Sequence, residues 1–311
     1  MDCFKTLTAI KSNIESVIVG KSETIDLLLI CLACGGHALI EDVPGMGKTT
    51  MVSALASSVS CKFNRIQFTP DALPSDVTGF NMIHPVTGEE RFIPGAVMCN
   101  ILLADELNRT SPKTQSALLQ AMQEGAVTVD GVTHELRRPF VVCATQNPVE
   151  QTGTYPLPEA QLDRFLMRIS MGYPNKQDEA AILKRSREGA LAAVSPVAGA
   201  EGVLDLQKAL DAIICVAPVV DYIVEIVQKT RNHAEIAMGI SPRGAIALMR
   251  ASMGRALLKG RGYVLPDDVQ AMARYTLCHR LILNAQTYSE NPEEIISGIV
   301  RSVKVPVVSG V

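Results

Sequence analysis

Residues 42–50, Asp-Val-Pro-Gly-Met-Gly-Lys-Thr-Thr, constrain this chain more than any other stretch. They follow a short apolar run at 38–40. They precede a segment, 49–60, in which Val52, Leu55, Ala56 and Val59 recur on one helical face. A strand, a glycine-containing loop and a helix in that order make a phosphate-binding loop. Gly45 and Gly47 let the backbone bend and point its N–H groups inward, and the helix beginning at Thr49 aims its positive N-terminus at the same anion. Lys48 is placed for the β- and γ-phosphates of ATP and the Thr49 hydroxyl for Mg²⁺, with Val43, Pro44, Met46 and Thr50 completing the loop. The full pattern opens on glycine where this chain has Asp42. A residue that only opens the turn can be Asp without blocking the phosphates.

Such a loop needs a sheet behind it. Residues 65–68 are a candidate strand, and 101–104, 140–144 and 165–171 are further apolar runs separated by helical patterns. Continuous apolar strands alternating with helices indicate a parallel sheet covered on both faces. Ser111, Pro112 and Gly125 punctuate one helix, and Ser241, Pro242 and Gly260 repeat that grammar. Asp130-Gly131 between alternating apolar residues marks a hairpin, and residues 85–88 mark a weaker turn inside 80–92. After Pro174 the pattern changes to helical segments at 177–188, 204–232, 242–259 and 266–283, with an Ala/Gly/Val/Ser-rich connector at 189–203. The expectation is an α/β nucleotide-binding domain over 1–174 and an all-helical domain over 175–311.

Three further groups carry chemistry. The apolar run at 101–104 ends in Asp105 and Glu106, which puts two acids at the carboxyl edge of the sheet, where a doubly wound fold binds its ligand. Asp105 suits a magnesium shell and Glu106 the polarisation of an attacking water. Asn147, at the end of the next apolar strand, offers an amide that can orient that water, although Asn147-Pro148 also reads as a turn. Arg164 and Arg243 are each able to neutralise charge on a transferred phosphoryl group. A lone arginine is more often a surface ion pair.

Composition narrows the class. A formal net charge of −3, with aromatics at 4% and no tryptophan, gives no bulk attraction to nucleic acid and few stacking platforms. The N-terminus lacks the basic and apolar pattern of a signal peptide, and the apolar stretch 25–40 is too short and too interrupted to span a membrane. Cys31 and Cys34 form a single CxxC without a second pair, which reads as buried helical thiols in a reducing cytosol. The five histidines show no metal spacing and read as surface or packing residues, and Met249 and Met253 read as core.

The phosphate loop, residues 102–109, 112–124, 144–150 and 153–165, then 241–243, 266–268 and 279–280, together resemble the MoxR family of AAA+ ATPases over nearly the whole chain. The resemblance implies that Lys48 is the Walker A lysine, Asp105 and Glu106 the Walker B pair and Asn147 sensor 1. It implies an arginine finger at Arg164 acting across a subunit interface, and sensor 2 at Arg243 on the helical lid. Val19-Gly20-Lys21 resembles the segment near the adenine, residues 127–136 the hairpin before sensor 1, and residues 80–94 the insert in helix 2. It further implies a five-stranded parallel sheet sandwiched by helices, ATP and Mg²⁺ as ligands, a cytoplasmic homo-oligomeric ring of hexamer type, and chaperone-like remodelling, maturation or metal insertion of a client protein. A von Willebrand A-type partner is implied as well, with neither nucleic acid nor membrane insertion.

Other readings stay open. A nucleic-acid motor shares these hairpins, but a DNA-tracking hairpin wants Lys or Arg at its tip. Here the tip carries Asp130, Gly131 and His134, with Arg137 and Arg138 at the base. A non-hydrolysing nucleotide-binding scaffold would not need Glu106. A small-molecule kinase lacks an identifiable acceptor pocket.

Overall fold

The structure is a computed structural model and describes residues 3–41, 45–86, 88–147, 153–187, 194–284 and 291–307. In chain order it contains α1 (Cys3–Val17), α2 (Ser22–Cys34), β1 (Ala38–Glu41), α3 (Lys48–Ser58), β2 (Phe63–Gln67), α4 (Pro74–Thr78), β3 (Gly79–Ile83) and β4 (Glu90–Pro94). Then follow β5 (Ile101–Asp105), α5 (Pro112–Glu124), β6 (Ala126–Val129), β7 (Val132–Glu135), β8 (Val141–Gln146), α6 (Glu159–Leu162) and β9 (Met167–Ile169). The remainder is α7 (Lys176–Arg187), α8 (Ala200–Asp211), α9 (Ala217–Arg231), β10 (Ile236–Met238), α10 (Pro242–Leu258), α11 (Pro266–Leu277), β11 (Ile282–Leu283) and α12 (Pro292–Ser302).

The expected five-stranded sheet is present, in the order β2-β5-β8-β1-β9, and all of its pairings are parallel. Its inner strands β1, β5 and β8 are apolar on both faces because both faces are covered. Side chains alternate across a strand, so Ala38, Ile40, Ile101, Leu103, Val141 and Cys143 enter one core while Leu39, Leu102, Ala104, Val142 and Ala144 enter the other. The second core is closed by α5 through Leu118, Leu119 and Met122. The first is closed by α1, α2 and α3 and continues without a break into α8 to α12.

That continuity locates the long apolar stretch at 25–40. Helix α2 is buried on all sides, with Ile25, Leu27, Leu28, Leu29, Ile30 and Leu32 each at most 3% exposed. A helix apolar all round belongs inside a protein, and here α1, α8, α10 and β9 surround it. Each such side chain contributes roughly 1.5–3 kcal/mol by leaving water, as an upper estimate. Cys31 and Cys34 lie on this helix, and burial pushes their thiols up, Cys34 to about 12. They are packing residues, as expected.

The C-terminal part departs from an all-helical domain in two places. Strands β10 and β11 pair antiparallel, and Ile214 bridges Tyr263. The helix expected over 204–232 is two helices, because Pro218 sits in the first turn of α9 and starts it afresh. The segment expected to be helical to 283 stops at Leu277 and passes through a 3₁₀ turn, Cys278–Arg280, into β11. Within this part Asp268 is wholly buried and receives Arg255, Arg261 in a bidentate fork and the Leu265 N–H. A buried carboxylate so completely paired fixes where α11 begins.

Two buried histidines join the sheet to its neighbours. The His37 Nδ1 accepts from the Val142 N–H at 3.0 Å, so its Nε2–H donates to the Met122 carbonyl at 3.1 Å. Burial pushes His37 down from 6.5 to about 4. His279 is lowered too, by burial and by the adjacent Arg280. A folded chain that refuses protons the unfolded chain accepts keeps this part of its stability above pH about 6.5. It loses it as pH falls toward about 4. The thermal midpoint is therefore expected to drop steadily from pH 7 to pH 5, and His37→Gln to flatten that slope. An unchanged slope in the variant would remove His37 from this account.

Candidate functional site

Helix α3 begins at Lys48 with Gly47 as its N-cap, so its first N–H groups point out of the carboxyl edge of β1. Gly45 and Gly47 have φ of +85° and +82°, and a Cβ at either would meet open space. Glycine is demanded there by backbone conformation rather than by crowding. Asp42, Val43 and Pro44 lie outside the described residues.

Gly45, Met46, Gly47, Lys48, Thr49 and Thr50 form one wall of a cleft of about 410 Å³. The facing wall is Asp105, Glu106 and Asn147 from the ends of β5 and β8, with Arg65 and Gln67 from β2. The structure thus brings together nine of the residues singled out from the sequence, and adds two.

The two acids diverge. Glu106 takes a left-handed conformation, φ 57° and ψ 45°, which costs a residue with a Cβ of order 1–3 kcal/mol unless its surroundings fix it. Thr145 fixes it: its hydroxyl accepts the Glu106 N–H at 2.9 Å and donates to Asp105 Oδ1 at 2.6 Å. One hydroxyl therefore sets both acids. Asp105 Oδ2 is paired with Arg65 at 2.8 Å, while Glu106 Oε2 receives Arg109 Nε at 3.3 Å and Gln67 Nε2 at 3.4 Å. Asn147 lies beside them, and its carbonyl accepts from Asn108 Nδ2 at 3.4 Å.

Four of these partners had no assigned role in the sequence. Arg65 and Gln67 carried a signal: they alternate at i and i+2 on a candidate strand, so they share one face. The parallel register sets Gln67 opposite Asp105. Thr145 and Arg109 stood inside quoted motifs without a stated use.

The donor set fits a small divalent cation. Thr49 and Asp105 supply a hydroxyl and a carboxylate, the hard oxygen ligands Mg²⁺ takes alongside phosphate oxygens and water. Arg65 is paired with one of the two Asp105 oxygens, Oδ2.

Val19, Gly20, Arg164 and Arg243 are not in this cleft. Gly20 abuts Asp178 of α7. Lys21 donates its ammonium to the carbonyls of Met171, Gly172 and Tyr173, tying the α1–α2 junction to the chain leaving β9. Arg164 and Arg243 line a separate cleft of about 260 Å³ that shares no residue with the first. There Arg164 donates to the Leu119 carbonyl at 2.8 Å, and half-exposed Arg243 lies 4.0 Å from Asp163. Arg250 and Arg280 line the same cleft, which Asp163 alone supplies with a carboxylate.

The expected hairpins are also present. β3 pairs with β4 and β6 with β7, and Asp130 and Gly131 turn at φ of +49° and +82°. The hairpins touch through Phe92 stacked on His134 and through Asn81 bonded to Asp130. Among the described residues no group of His, Cys, Asp and Glu is arranged to hold a metal by itself, and no helix is long and apolar enough to cross a membrane.

Comparison with known proteins agrees with this geometry. Residues 37–167 match the model of the ATPase family associated with various cellular activities (AAA), and residues 228–299 match the AAA lid domain. The chain is 52% identical to the uncharacterised protein YeaC of Bacillus subtilis, over 95% of this chain and 93% of that one. It is 38% identical to the chaperone MoxR1 of Mycobacterium tuberculosis, over 96% of this chain and 82% of that one. The crystal structure of a candidate ATPase from Cytophaga hutchinsonii superposes with a TM-score of 0.92 at 38% identity, covering 98% of this chain and 96% of that one.

Proposed function

The chain belongs to the MoxR family of AAA+ ATPases, and from that premise we propose that it hydrolyses ATP with Mg²⁺ as a ring, driving chaperone-like remodelling, maturation or metal insertion of a client protein. The observation that carries the hydrolytic reading is the Thr145 hydroxyl, which holds Asp105 and Glu106 apart over the phosphate loop. A scaffold that only bound nucleotide would have no use for a Glu106 held in a left-handed conformation beside the phosphate loop.

In this reading the α3 N-terminus and Lys48 neutralise the phosphate charge. Thr49 and Asp105 would hold Mg²⁺, which would supply positive charge to offset that of the phosphates. Arg65, paired with Asp105 Oδ2, would compete with a cation for that carboxylate. Asn147 orients the attacking water, and Glu106 accepts its proton once Gln67 and Arg109 release the carboxylate. Val19 and Gly20 stand near the adenine, and 42–44 complete the loop.

The placement of Arg164 and Arg243 supports a site shared between subunits. Both belong to a cationic cleft of their own, away from this chain's phosphate loop. In a ring each subunit would present that cleft to its neighbour's nucleotide, with a hexamer as the expected closure. The hairpin tip, where Asp130 pairs with Asn81 instead of offering a basic group, supports a protein client over a nucleic acid. The name of the mycobacterial relative, a chaperone, points the same way. A cytoplasmic setting and a von Willebrand A-type partner are part of the proposal by family likeness.

The remodelling claim is tested by a pull-down from the native host with Glu106→Gln loaded with ATP. Lys48→Ala, which is expected not to load, is the reference. Proteins retained by the first and not the second are the expected outcome. Identical sets, or none, would sink it.

A further inference from the structure

Arg164 and Arg243 reach their common cleft from distant parts of the sequence, one just before β9 and the other in the first turn of α10. A third arginine lines the same cleft. Arg280 lies in the 3₁₀ turn after α11, with its side chain 3% exposed. Its Nε donates to Asp163 Oδ1 at 2.6 Å. Its Nη2 donates to the carbonyls of Asp163 at 3.2 Å and Phe165 at 2.6 Å. Its Nη1 donates to Leu166 O at 3.3 Å and to Thr276 O. His279 adds a bond to the same Phe165 carbonyl at 3.2 Å.

Two features separate this arrangement from ordinary packing. A guanidinium has five N–H donors, and all five are used here, so Arg280 has none left for a phosphate. Four of the five go to residues 163, 165 and 166, on either side of Arg164. The Arg164 side chain is outside this clamp: it lines the cleft and donates to the Leu119 carbonyl. A buried ion pair is also a poor device for stability alone, since an apolar side chain of similar size often serves as well. What a planar fork does provide is fixed geometry over several acceptors at once. The Asp163 it grips is the same residue that approaches Arg243, through its other oxygen.

We propose that Arg280 is a positioning residue that clamps residues 163–166 to the C-terminal helices, so that Arg164 and Arg243 are presented to the neighbouring subunit's nucleotide as one rigid pair. The proposal rests on the reading of those two arginines as acting across an interface. It implies that the lid does not swing freely against β9 on this side. Any motion of α10 and α11 carries the Arg164 backbone with it.

Subunit mixing tests it. Arg280→Ala is expected to lower ATP turnover at least about tenfold, since small misplacements of a charge-stabilising group are costly. Its own nucleotide affinity, read with a fluorescent ATP analogue, should stay within about twofold, because the clamp is remote from the phosphate loop. Mixing it with Lys48→Ala should restore turnover, since the second subunit has a disabled loop but an intact clamp and both arginines. Arg280→Lys keeps the charge but offers a point donor instead of a fork. It is expected to show the same split at smaller amplitude, and it serves if the alanine variant does not fold. Arg164→Ala mixed in the same way tests the reading beneath. If Arg164→Ala is rescued and the Arg280 variants are not, the clamp is wrong. If Arg164→Ala is not rescued, the shared site is wrong and the clamp falls with it. Wild-type turnover in Arg280→Lys, or nucleotide affinity lost in step with turnover, also overturns the clamp.

Discussion

Glu106→Gln is expected to bind ATP as the parent chain does and to turn it over more slowly by about 10²–10⁴-fold, the usual contribution of a positioned general base. The argument is geometric. The amide keeps the size of the side chain and both of its contacts on the receiving side, since Gln67 and Arg109 can still donate to the remaining carbonyl oxygen. The Thr145 hydroxyl meets the residue at its backbone N–H, which the substitution leaves untouched. Asp105, Thr49 and the phosphate loop are equally undisturbed, so binding should not change. Only the capacity to take a proton from water is removed. The measurement is phosphate release under saturating ATP beside a direct binding titration. Equal low turnover in the parent and in Glu106→Gln would mean that the cleft binds nucleotide without hydrolysing it, and the scaffold reading would replace the ATPase reading.

Much of this cleft could be read before any coordinates. β1, β5 and β8 are buried on both faces, and a strand buried on both faces is a continuous apolar run that needs no periodicity argument. Each ends where a polar residue begins, so Lys48, Asp105 and Asn147 could be placed at one edge of one sheet. β2 was harder to use. Its burial is mixed, and Arg65 and Gln67 look like ordinary polar positions until the register sets them against Asp105. The left-handed turn at Glu106 had no signal either, because glycine usually marks such a conformation and here a hydroxyl from the neighbouring strand β8, 39 residues on in sequence, supplies the restraint. The C-terminal helices were blurred at 212–216 because apolar spacing runs through the break. Pro218 was the overlooked start signal. β10 and β11, of three and two residues, are too short for any pattern. Arg280 stood in a quoted motif without a role for a different reason. A lone arginine in a sequence reads as surface charge, and only its burial shows otherwise.

Arg164→Ala should cost about 10³-fold in turnover, the lower part of the range for an arginine supplied to a phosphoryl-transfer site from another subunit. Within one chain the residue is parked. Its guanidinium donates to the Leu119 carbonyl, a neutral acceptor whose bond to a charged donor is worth about 1.5–3 kcal/mol. A phosphate group in a water-poor interface is a far stronger attractor for a planar cation, so assembly should draw Arg164 off Leu119 at little expense. That exchange makes a prediction about concentration as well as about the variant. If the arginine comes from a neighbour, turnover per subunit must rise with protein concentration until rings are complete, and must fall on dilution to the level of Arg164→Ala. The variant should show a flat line over the same range while its binding of ATP is unchanged, because Arg164 shares no cleft with Lys48. Sedimentation run alongside fixes where assembly occurs. A parent chain whose turnover per subunit stays constant through dissociation, or an Arg164→Ala chain as fast as the parent, would mean that each subunit completes its own site. The cationic cleft around Arg164 and Arg243 would then need another purpose.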